Sequence, residues 1–454
     1  MYLSAMPSIA NFHVRPGNAG IGFAYYQSCG KIAEEAPMKR YLALALAALV
    51  AVTAFAQNKT PVTLSIIANQ DWVIKPYMKA AWANYEKVTG NKLDIQALPI
   101  DNWETVMKTR AAAGELPDIV MTFAGPVLDA MRPADNFFDL SNEPFVKDLK
   151  PFVLPQATYK GKIYGLPLWE GSVSGTLYNK DIFKKLKISV PKTQAEFWAA
   201  CEAIKKAGIT PIYLAFKDIW PALPQFGLDP IARKYPGFVD KLNSNKLKLG
   251  DVPEFTNLVS FYKTLVDKGY LGADFVSNTW DGQAKALGEG TYAMALAWDQ
   301  YLYSDLEPRY AGAAAHFGIM PFFMNVTPDG SYEGPNACMT FVNKKGKNAK
   351  EALEFLRFLA KPENLNLAYK DVFTESYFKS VTTNKVSPQL ADARASVDKL
   401  ILASVQAGIV GYSQVESVKP IQLMMLGQLS VTDTVKQIDD IRIKVAKARG
   451  LAGF

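Results

Sequence analysis

Apolar residues follow two different periods along this chain, and the period changes from one segment to the next. Residues 62–67 and 92–98 have the alternation of strands. Residues 103–113, 255–268 and 350–360 instead carry apolar side chains at the three- and four-residue spacing of amphipathic helices. Strand and helix patterns alternate in this way over most of the chain. That order predicts an α/β fold on mostly parallel sheets, whose ligands lie at the carboxyl ends of the strands.

Caps and turn residues mark the ends of these elements. The helix after the first strand places Tyr77, Trp82 and Tyr85 on one face and ends at Gly90. Residues 69–72 lie between that strand and that helix, and we interpret them as a loop. Further helices are predicted at residues 280–290, 396–406, 421–429 and 432–448, and further strands at residues 212–216, 317–322 and 339–343.

The stretch from residue 161 to residue 211 contains the most closely spaced signals. Gly161 and Gly165 predict turns around a short apolar run, and Pro167 lacks the backbone donor that a central strand needs. A strand resumes at residues 176–179, and a short charged helix follows it. Thr193 then predicts a helix N-terminus, because Glu196 stands three residues later as in a capping box.

Three pieces of this stretch resemble one family in their order and spacing: YGLP at residues 164–167, LYNKDIF at 177–183 and PKTQAEFWAACEAIKKAGITPI at 191–212. The family is that of the extracellular solute-binding proteins of ABC sugar importers, the maltose-binding-protein-like group. Residues 113–118 resemble its SG-x-x-PD segment, with Ala113 in place of the serine. Residues 288–294 and 317–321 resemble its F-x-x-G-x-x-A-M and FG-x-x-P segments.

This resemblance implies a periplasmic-binding-protein-like fold, in which two interleaved α/β lobes are joined by a hinge and the ligand cleft lies between them. It implies that residues 57–170 and 334–373 form the first lobe, and residues 171–333 and 374–454 the second. It further implies a carbohydrate ligand, an inner-membrane ABC permease as partner, no cofactor and a monomer that is not an enzyme.

The N-terminal region has the pattern of a signal peptide. Met38-Lys39-Arg40 precedes an apolar run at residues 41–52 and the sequence Thr53-Ala54-Phe55-Ala56, so we expect cleavage before Gln57. The run is shorter than the ~20 residues that span a bilayer, and a buried alanine-rich helix is the alternative. Residues 1–37 are then a non-native upstream extension. The residue directly after the expected cleavage site is Gln57 and not a cysteine, which favours a soluble periplasmic protein over a lipid-anchored one.

Charge and reactive residues exclude several function classes. The formal net charge of +7 is spread without a basic run, which argues against nucleic acid as a partner. Downstream of residue 56 the chain has one histidine, His316, and no serine-nucleophile, zinc, calcium or nucleotide-binding motif. We therefore expect no metal and interpret His316 as a packed residue at a strand edge. Cys201 and Cys338 could pair in the periplasm, although the apolar helix face around Cys201 favours a buried free thiol.

Tryptophan stands beside a carboxylate at several predicted strand ends, which is the pattern a sugar cleft requires. Aromatic faces cover the C–H patches of a pyranose, and carboxylates or amides bond its hydroxyls. The candidate ligand-binding residues, with Asn336 completing the set, are Asp71, Trp72, Trp169, Glu170, Asp218, Trp220, Trp298, Asp299 and Asn336. Core packing is the alternative for the tryptophans, as it is for Trp82, Trp103 and Trp198, and helix capping is the alternative for Asp71 and Glu170.

These patterns favour a binding protein that takes up a carbohydrate by hinge closure. Two other functions stay open at this point. A cationic solute such as a polyamine would also be bound by aromatic rings and carboxylates. A secreted carbohydrate-active enzyme would need two facing carboxylates, for which Glu170 and Asp218 are the candidates.

Overall fold

The computed structural model describes residues 60–99, 102–412 and 417–454. The expected signal peptide, its cleavage site and the upstream extension lie outside these residues. No helix in the described ranges has the length and apolarity that crossing a membrane requires.

Strands are short and spread over the chain. They are β1 Thr63–Asn69, β2 Lys92–Leu98, β3 Ile119–Phe123, β4 Thr158–Tyr159, β5 Lys162–Ile163, β6 Gly165–Leu166, β7 Ser174–Asn179, β8 Thr210–Tyr213, β9 Tyr292–Trp298, β10 Phe317–Met320, β11 Tyr332–Glu333, β12 Cys338–Val342 and β13 Ile401–Leu402.

Helices fill most of the intervals between the strands. They are α1 Gln70–Val73, α2 Pro76–Thr89, α3 Trp103–Ala113, α4 Pro126–Ala130, α5 Pro133–Asn136, α6 Phe145–Asp148, α7 Leu154–Ala157, α8 Lys180–Lys185, α9 Gln194–Lys206, α10 Leu228–Lys234, α11 Phe238–Asn243, α12 Pro253–Asp267, α13 Trp280–Gly288, α14 Ala349–Leu359, α15 Pro362–Ala368, α16 Pro388–Leu400, α17 Val418–Met425 and α18 Val431–Ala448.

The strands form two main sheets, one in each of two α/β lobes. The first has the order β2-β1-β3-β12-β6, with β1 parallel to β2 and β3, and β12 antiparallel to β3 and β6. The second has the order β13-β11-β7-β9-β8, with β10 also paired to β7. In it β8 is parallel to β9, whereas β7 is antiparallel to β9, β10 and β11. The sheets are therefore mixed, and the expectation of mostly parallel sheets was wrong.

Separate apolar cores stabilise the two lobes. One core packs around the first sheet and includes Cys338, while Cys201 lies in a core behind the second sheet. Both cysteines are buried and free. The free, buried thiol expected for Cys201 is confirmed, and the alternative of a disulfide between them was wrong because the two residues belong to different cores.

The chain passes between the sheets more than once, which interleaves the lobes. It leaves the first sheet after β6 and joins the second at β7, then returns between β11 and β12. Tyr377, Phe378 and Val381 still pack in the core of the first sheet, and Leu390 packs beside the second. The last passage therefore lies after Val381, so the boundary expected at residue 373 was too early. The other lobe boundaries stay predictions.

Most predicted elements are present within a few residues of their expected ends. Thr193 caps α9 by accepting a hydrogen bond from the Glu196 N–H at 3.3 Å, and Glu196 accepts one from the Lys192 N–H at 2.7 Å. Gly90 follows α2 in the left-handed conformation, with a φ of 75°. These ends could be predicted because capping is local in sequence.

Several local predictions were wrong. Residues 69–72 end β1 and begin the one-turn helix α1, because the Asn69 side chain caps it. The helix expected at residues 396–406 is α16, which begins at Pro388 and ends at Leu400. Gly165 forms no turn: it lies in β6, where a Cβ would lie 2.9 Å from the Phe341 ring. The strand expected at residues 212–216 ends at Tyr213.

Candidate functional site

The first half of the site begins at the carboxyl end of β1. The Asn69 side chain accepts a hydrogen bond from the Asp71 N–H at 2.8 Å and so holds the first turn of α1. This turn buries Trp72, whose ring makes edge contacts with Trp103 at 4.8 Å and with Phe123 at 5.1 Å between centroids. Asp71 remains half-buried beside it.

Trp169 and Glu170 follow β6, at the place where the chain leaves the first lobe. The Trp169 ring lies 5.6 Å from that of Trp72, and the Tyr369 hydroxyl donates to the Trp169 carbonyl at 2.7 Å. Trp72, Trp103 and Trp169 all belong to the core of the first sheet. We call these three side chains and Phe123 the first-lobe aromatic cluster. Trp72 and Trp169 thus form part of the packed core that backs the site.

Lys75, between α1 and α2, forms an ion pair with Glu170 at 3.3 Å, and both side chains are largely buried. Burial raises the pKa of Glu170, and the attraction of Lys75 offsets only part of that rise. Burial alone lowers the pKa of Lys75, but the pull of Glu170, Asp305 and Asp71 holds that pKa above its usual value. Oε2 of Glu170 is buried without a hydrogen-bond partner among the described residues, so it can accept from a ligand hydroxyl.

The second half of the site lies at the carboxyl end of β9. Trp298 stacks on Trp280, the first residue of α13, with 5.1 Å between centroids and 25° between planes. The Trp220 ring lies 4.7 Å from that of Trp280, and the Tyr301 ring 5.0 Å from it. We call these four side chains the second-lobe aromatic cluster. The indole nitrogen of Trp298 is buried without a partner among the described residues, so it can donate to a ligand.

The two halves face each other across the boundary between the lobes. Nζ of Lys75, from the first lobe, lies 5.9 Å from the centroid of the Trp298 ring in the second. Burial raises the pKa of Asp71; Lys75 opposes that shift, and repulsion by Asp218 and Asp305 of the second lobe adds to it. Aromatic rings and carboxylates from both lobes therefore surround one lysine.

Two of the predicted carboxylates hold the fold around the site. Asp299 is buried: it accepts from the Val173 N–H at 2.9 Å and from the Ser387 hydroxyl at 2.6 Å, one bond to each oxygen. Asp218 accepts from the backbone N–H of Trp280 and so fixes the first turn of α13. Asp299 thus has a protein partner at each oxygen, and its contact with a ligand stays a prediction.

Asn336 lies apart from the lysine. It lines a cavity of about 80 Å³ together with Trp103 and Phe123 of the first lobe and Gln225 and Gln406 of the second. Lys75 and Glu170 do not line this cavity.

Several residues of the site were not predicted from the sequence. Trp280, Tyr301 and Asp305 stand on helical segments of the second lobe, where their pattern is that of ordinary packing or solvent-facing residues. Trp280 had one signal, since Thr279 predicts a helix N-terminus at a strand-to-helix loop. A single lysine such as Lys75 gives no signal, because only the fold places it beside Glu170.

The histidine expected at a strand edge forms no part of this site. His316 is exposed, with Nδ1 2.6 Å from the carboxylate of Asp181, so the expectation of a packed residue was wrong. It ends a 3-10 turn just before β10, which leaves its ring in solvent. In the parts of the chain that the structure describes, no group of His, Cys, Asp and Glu side chains is arranged to hold a metal.

Comparison with known proteins finds solute-binding and sugar-binding proteins. The family described as bacterial extracellular solute-binding protein matches residues 71–365. A multiple sugar-binding protein of Streptococcus mutans is 24% identical over 308 residues, which cover 65% of this chain and 71% of that protein.

Solved structures are similar over nearly their whole length. A chitin oligosaccharide binding protein has a TM-score of 0.72 and 23% identity, covering 86% of this chain and 100% of that one. A sugar transporter protein from Bacillus licheniformis in complex with stachyose has a TM-score of 0.69 and 17% identity, covering 85% and 99%. At these identities the likeness shows the fold.

Proposed function

The chain belongs to the bacterial extracellular solute-binding proteins, and from this we propose that it binds a carbohydrate between its two lobes and delivers it to an ABC permease of the inner membrane. The observation that carries the proposal is the facing arrangement at the lobe boundary. Trp298 and its cluster stand on one side, and Asp71 and Glu170 stand on the other. A buried acceptor and a buried donor there have no partner within the described ranges.

The chemistry of this arrangement suits a sugar. Stacked indole rings offer a broad apolar face, and such aromatic contacts contribute about 0.5–1.5 kcal/mol beyond the buried area. Oε2 of Glu170 can accept a hydroxyl proton, and Nε1 of Trp298 can donate to a hydroxyl or ring oxygen. The names of the relatives support the same ligand class, since both the Streptococcus mutans protein and the oligosaccharide-binding structure are named for sugars.

Function then depends on closure of the lobes around the ligand. The groups that would contact the sugar come from both lobes, so a ligand that touches both stabilises the closed state. Each lobe has its own buried core, so we expect each lobe to move as a unit in such a closure. We propose that the hinge consists of the chain segments that cross between the two sheets.

We further propose that the protein is exported, cleaved after Ala56 and free in the periplasm as a monomer. The signal-peptide pattern and the family's extracellular role support this proposal. N-terminal sequencing of the exported protein is its test, and a mature chain that still carries residues before Gln57 would contradict it.

We propose binding without catalysis. Glu170 is paired to Lys75, and Asp218 is bonded to the backbone of α13, so the two carboxylates considered for hydrolysis already have structural partners. A glycosidase needs one carboxylic acid and one free carboxylate across the scissile bond. A binding protein without catalysis releases its ligand chemically intact.

The test is calorimetric titration of the mature protein against a panel of neutral oligosaccharides, followed by small-angle scattering with the best ligand. We expect one sugar per chain and a smaller radius of gyration in its presence. Mass spectrometry after long incubation should return the sugar intact. Shorter products that disappear in Glu170→Gln would instead support an enzyme, and no binding to any sugar would overturn the proposal.

A further inference from the structure

We propose that Lys75 is the residue that restricts the cleft to uncharged ligands, because its ammonium fills the position where the site would otherwise bind a cationic group. This inference rests on the proposed function and names the ligand class of the same site. The distinction is between neutral sugars, which we expect to bind, and solutes with ammonium groups, namely polyamines and amino sugars, which we expect to be excluded.

The position of Nζ is the first support. It lies 3.3 Å from Oε1 of Glu170 and 5.9 Å from the centroid of the Trp298 ring. An aromatic face together with a carboxylate is the arrangement that binds ammonium groups in proteins. Here the ammonium belongs to the chain itself, and its side chain is only 12% exposed.

The backbone around Lys75 holds it in this place. Lys75 is the second of the two residues between α1 and α2, its N–H donates to the Trp72 carbonyl at 3.3 Å, and Pro76 begins α2 immediately after it. Helices on both sides therefore fix the Cα. Less backbone freedom has to be lost to bring Lys75 to Glu170 than if Lys75 stood in a flexible loop, so the ammonium is part of the preformed site.

Two different features oppose charged ligands: the surplus of carboxylates disfavours an anion, and the ammonium of Lys75 occupies the position that a ligand cation would take. Asp71 and Glu170 of the first lobe and Asp305 of the second all attract Lys75, and Asp218 lies close enough to repel Asp71. An anionic sugar would be repelled by these four carboxylates in a poorly hydrated site, and only one lysine would attract it. A cationic ligand would meet the ammonium of Lys75 at the place where it would otherwise bind. An uncharged polyol meets neither repulsion.

Removing the ammonium should reverse this selection. In Lys75→Met the unbranched stem remains while the charge is lost, so Glu170 and the Trp298 face are left without their cation. A ligand ammonium can then take that place. The cleft of this variant should bind spermidine, which the unaltered protein rejects.

The experiment titrates spermidine, and separately the best neutral oligosaccharide, into the unaltered protein, Lys75→Met and the matched control Lys79→Met. Lys79 is exposed on α2, so its replacement removes the same charge four residues away. We expect Lys75→Met to bind spermidine at least tenfold more tightly than the other two proteins, with an affinity that falls as salt is raised. Lys75→Arg keeps the charge and should still reject spermidine.

Thermal unfolding first checks that each variant is folded, and Lys75→Gln, which retains a donor for Glu170, serves the same test if the methionine variant is not. The inference is overturned if a folded, uncharged variant at residue 75 binds spermidine no better than Lys79→Met while the unaltered protein binds a sugar. If the unaltered protein binds spermidine and no sugar, the proposed function itself fails. The two failures are therefore distinguishable.

Discussion

Trp169 and Trp298 each stand beside a carboxylate in the sequence, yet their surroundings differ. Trp169 is buried among Trp72, Tyr77 and the core of the first sheet. Trp298 is half-buried at the edge of the second-lobe aromatic cluster, and none of the residues that the structure describes is a partner of its indole nitrogen. The first ring therefore contributes mainly to packing, and the second is free to contact a ligand.

We predict that Trp298→Ala weakens sugar binding by on the order of tenfold or more, because a stacking face and a donor are lost. Its melting temperature should change little. Trp169→Ala should lower the free energy of unfolding by about 3–5 kcal/mol, as expected for a buried aromatic ring replaced by alanine. Calorimetric titration and thermal unfolding measure the two effects.

Trp198→Ala is the matched control for these variants, because Trp198 packs on Phe261 and Tyr270 in the second lobe. It should cost stability and leave affinity unchanged. A Trp298→Ala protein with full affinity and a much lower melting temperature would show that Trp298 is a core residue.

At the scale of elements, the passages between the lobes are held by close backbone contacts. The Gly171 N–H donates to the Thr374 hydroxyl at 3.0 Å, and Glu170 pairs with Ser376 in an isolated bridge. Asp299 adds a second set of bonds, which join the end of β9 to Val173 and Ser387. Segments that are distant in sequence are thus tied together where the chain leaves the first lobe.

We predict that Gly171→Ala destabilises the protein by about 1–3 kcal/mol, the cost typical of overpacking. A Cβ at this position would lie 2.0 Å from the Glu375 carbonyl oxygen, and backbone atoms cannot move aside as a flexible side chain can. Sugar affinity should fall as well, because the Lys75–Glu170 pair is adjacent to this contact. Thermal unfolding and titration check both effects.

Gly250→Ala provides the comparison, since a Cβ there would come no closer than 3.4 Å to a neighbouring atom. It should behave like the unaltered protein. If Gly171→Ala were equally neutral, the contact between residues 171 and 375 would have to be looser than the structure shows.

At the scale of the whole molecule, a buried acid pair links the second lobe to the returning passage. Glu333 ends β11, just before the chain returns to the first lobe, and its buried side chain lies beside that of Asp229 on α10. Burial raises the pKa of Glu333 to about 8, while burial and repulsion by Glu333 raise that of Asp229. One oxygen of each is otherwise without a partner in the described residues, so a shared proton satisfies both.

We predict that this pair makes stability fall as pH rises. The folded-state pKa of Glu333 lies above the ordinary value of 4.5, so its stabilisation is fully present below about pH 4.5 and is lost as pH rises towards about 8. Asp229 shifts in the same direction. Melting temperatures measured from pH 5 to pH 8 should therefore decline, and Glu333→Gln, which cannot ionise, should flatten that decline.

Glu115→Gln, at an exposed position, should keep the pH dependence of the unaltered protein. An equally steep decline in Glu333→Gln would show that the pair is not protonated in the folded protein. Because the comparison uses differences between variants, titration of other groups cancels.

Much of the fold could be predicted because its signals are local. Three features depend only on neighbours a few residues away: the helix face of Tyr77, Trp82 and Tyr85, the cap at Thr193, and the end of a strand at Pro167. The sequence alone therefore predicts them. The motif order from residue 164 to residue 212 was enough to indicate the family, and several candidate site residues do lie at the lobe boundary.

Only the tertiary structure decided which of those residues are bonded within the protein and which keep a free donor or acceptor. Asp299 and Trp298 are adjacent in sequence, yet the carboxylate is bonded to Val173 and Ser387, while the indole nitrogen has no partner in the part of the chain that the structure describes. Lys75 became part of the site because it meets Glu170 and Trp298, which lie far from it along the chain. Periodicity determines the element to which a side chain belongs. Which charge pairs with which depends on the packing of two sheets whose strands come from distant segments, and no local pattern encodes that packing.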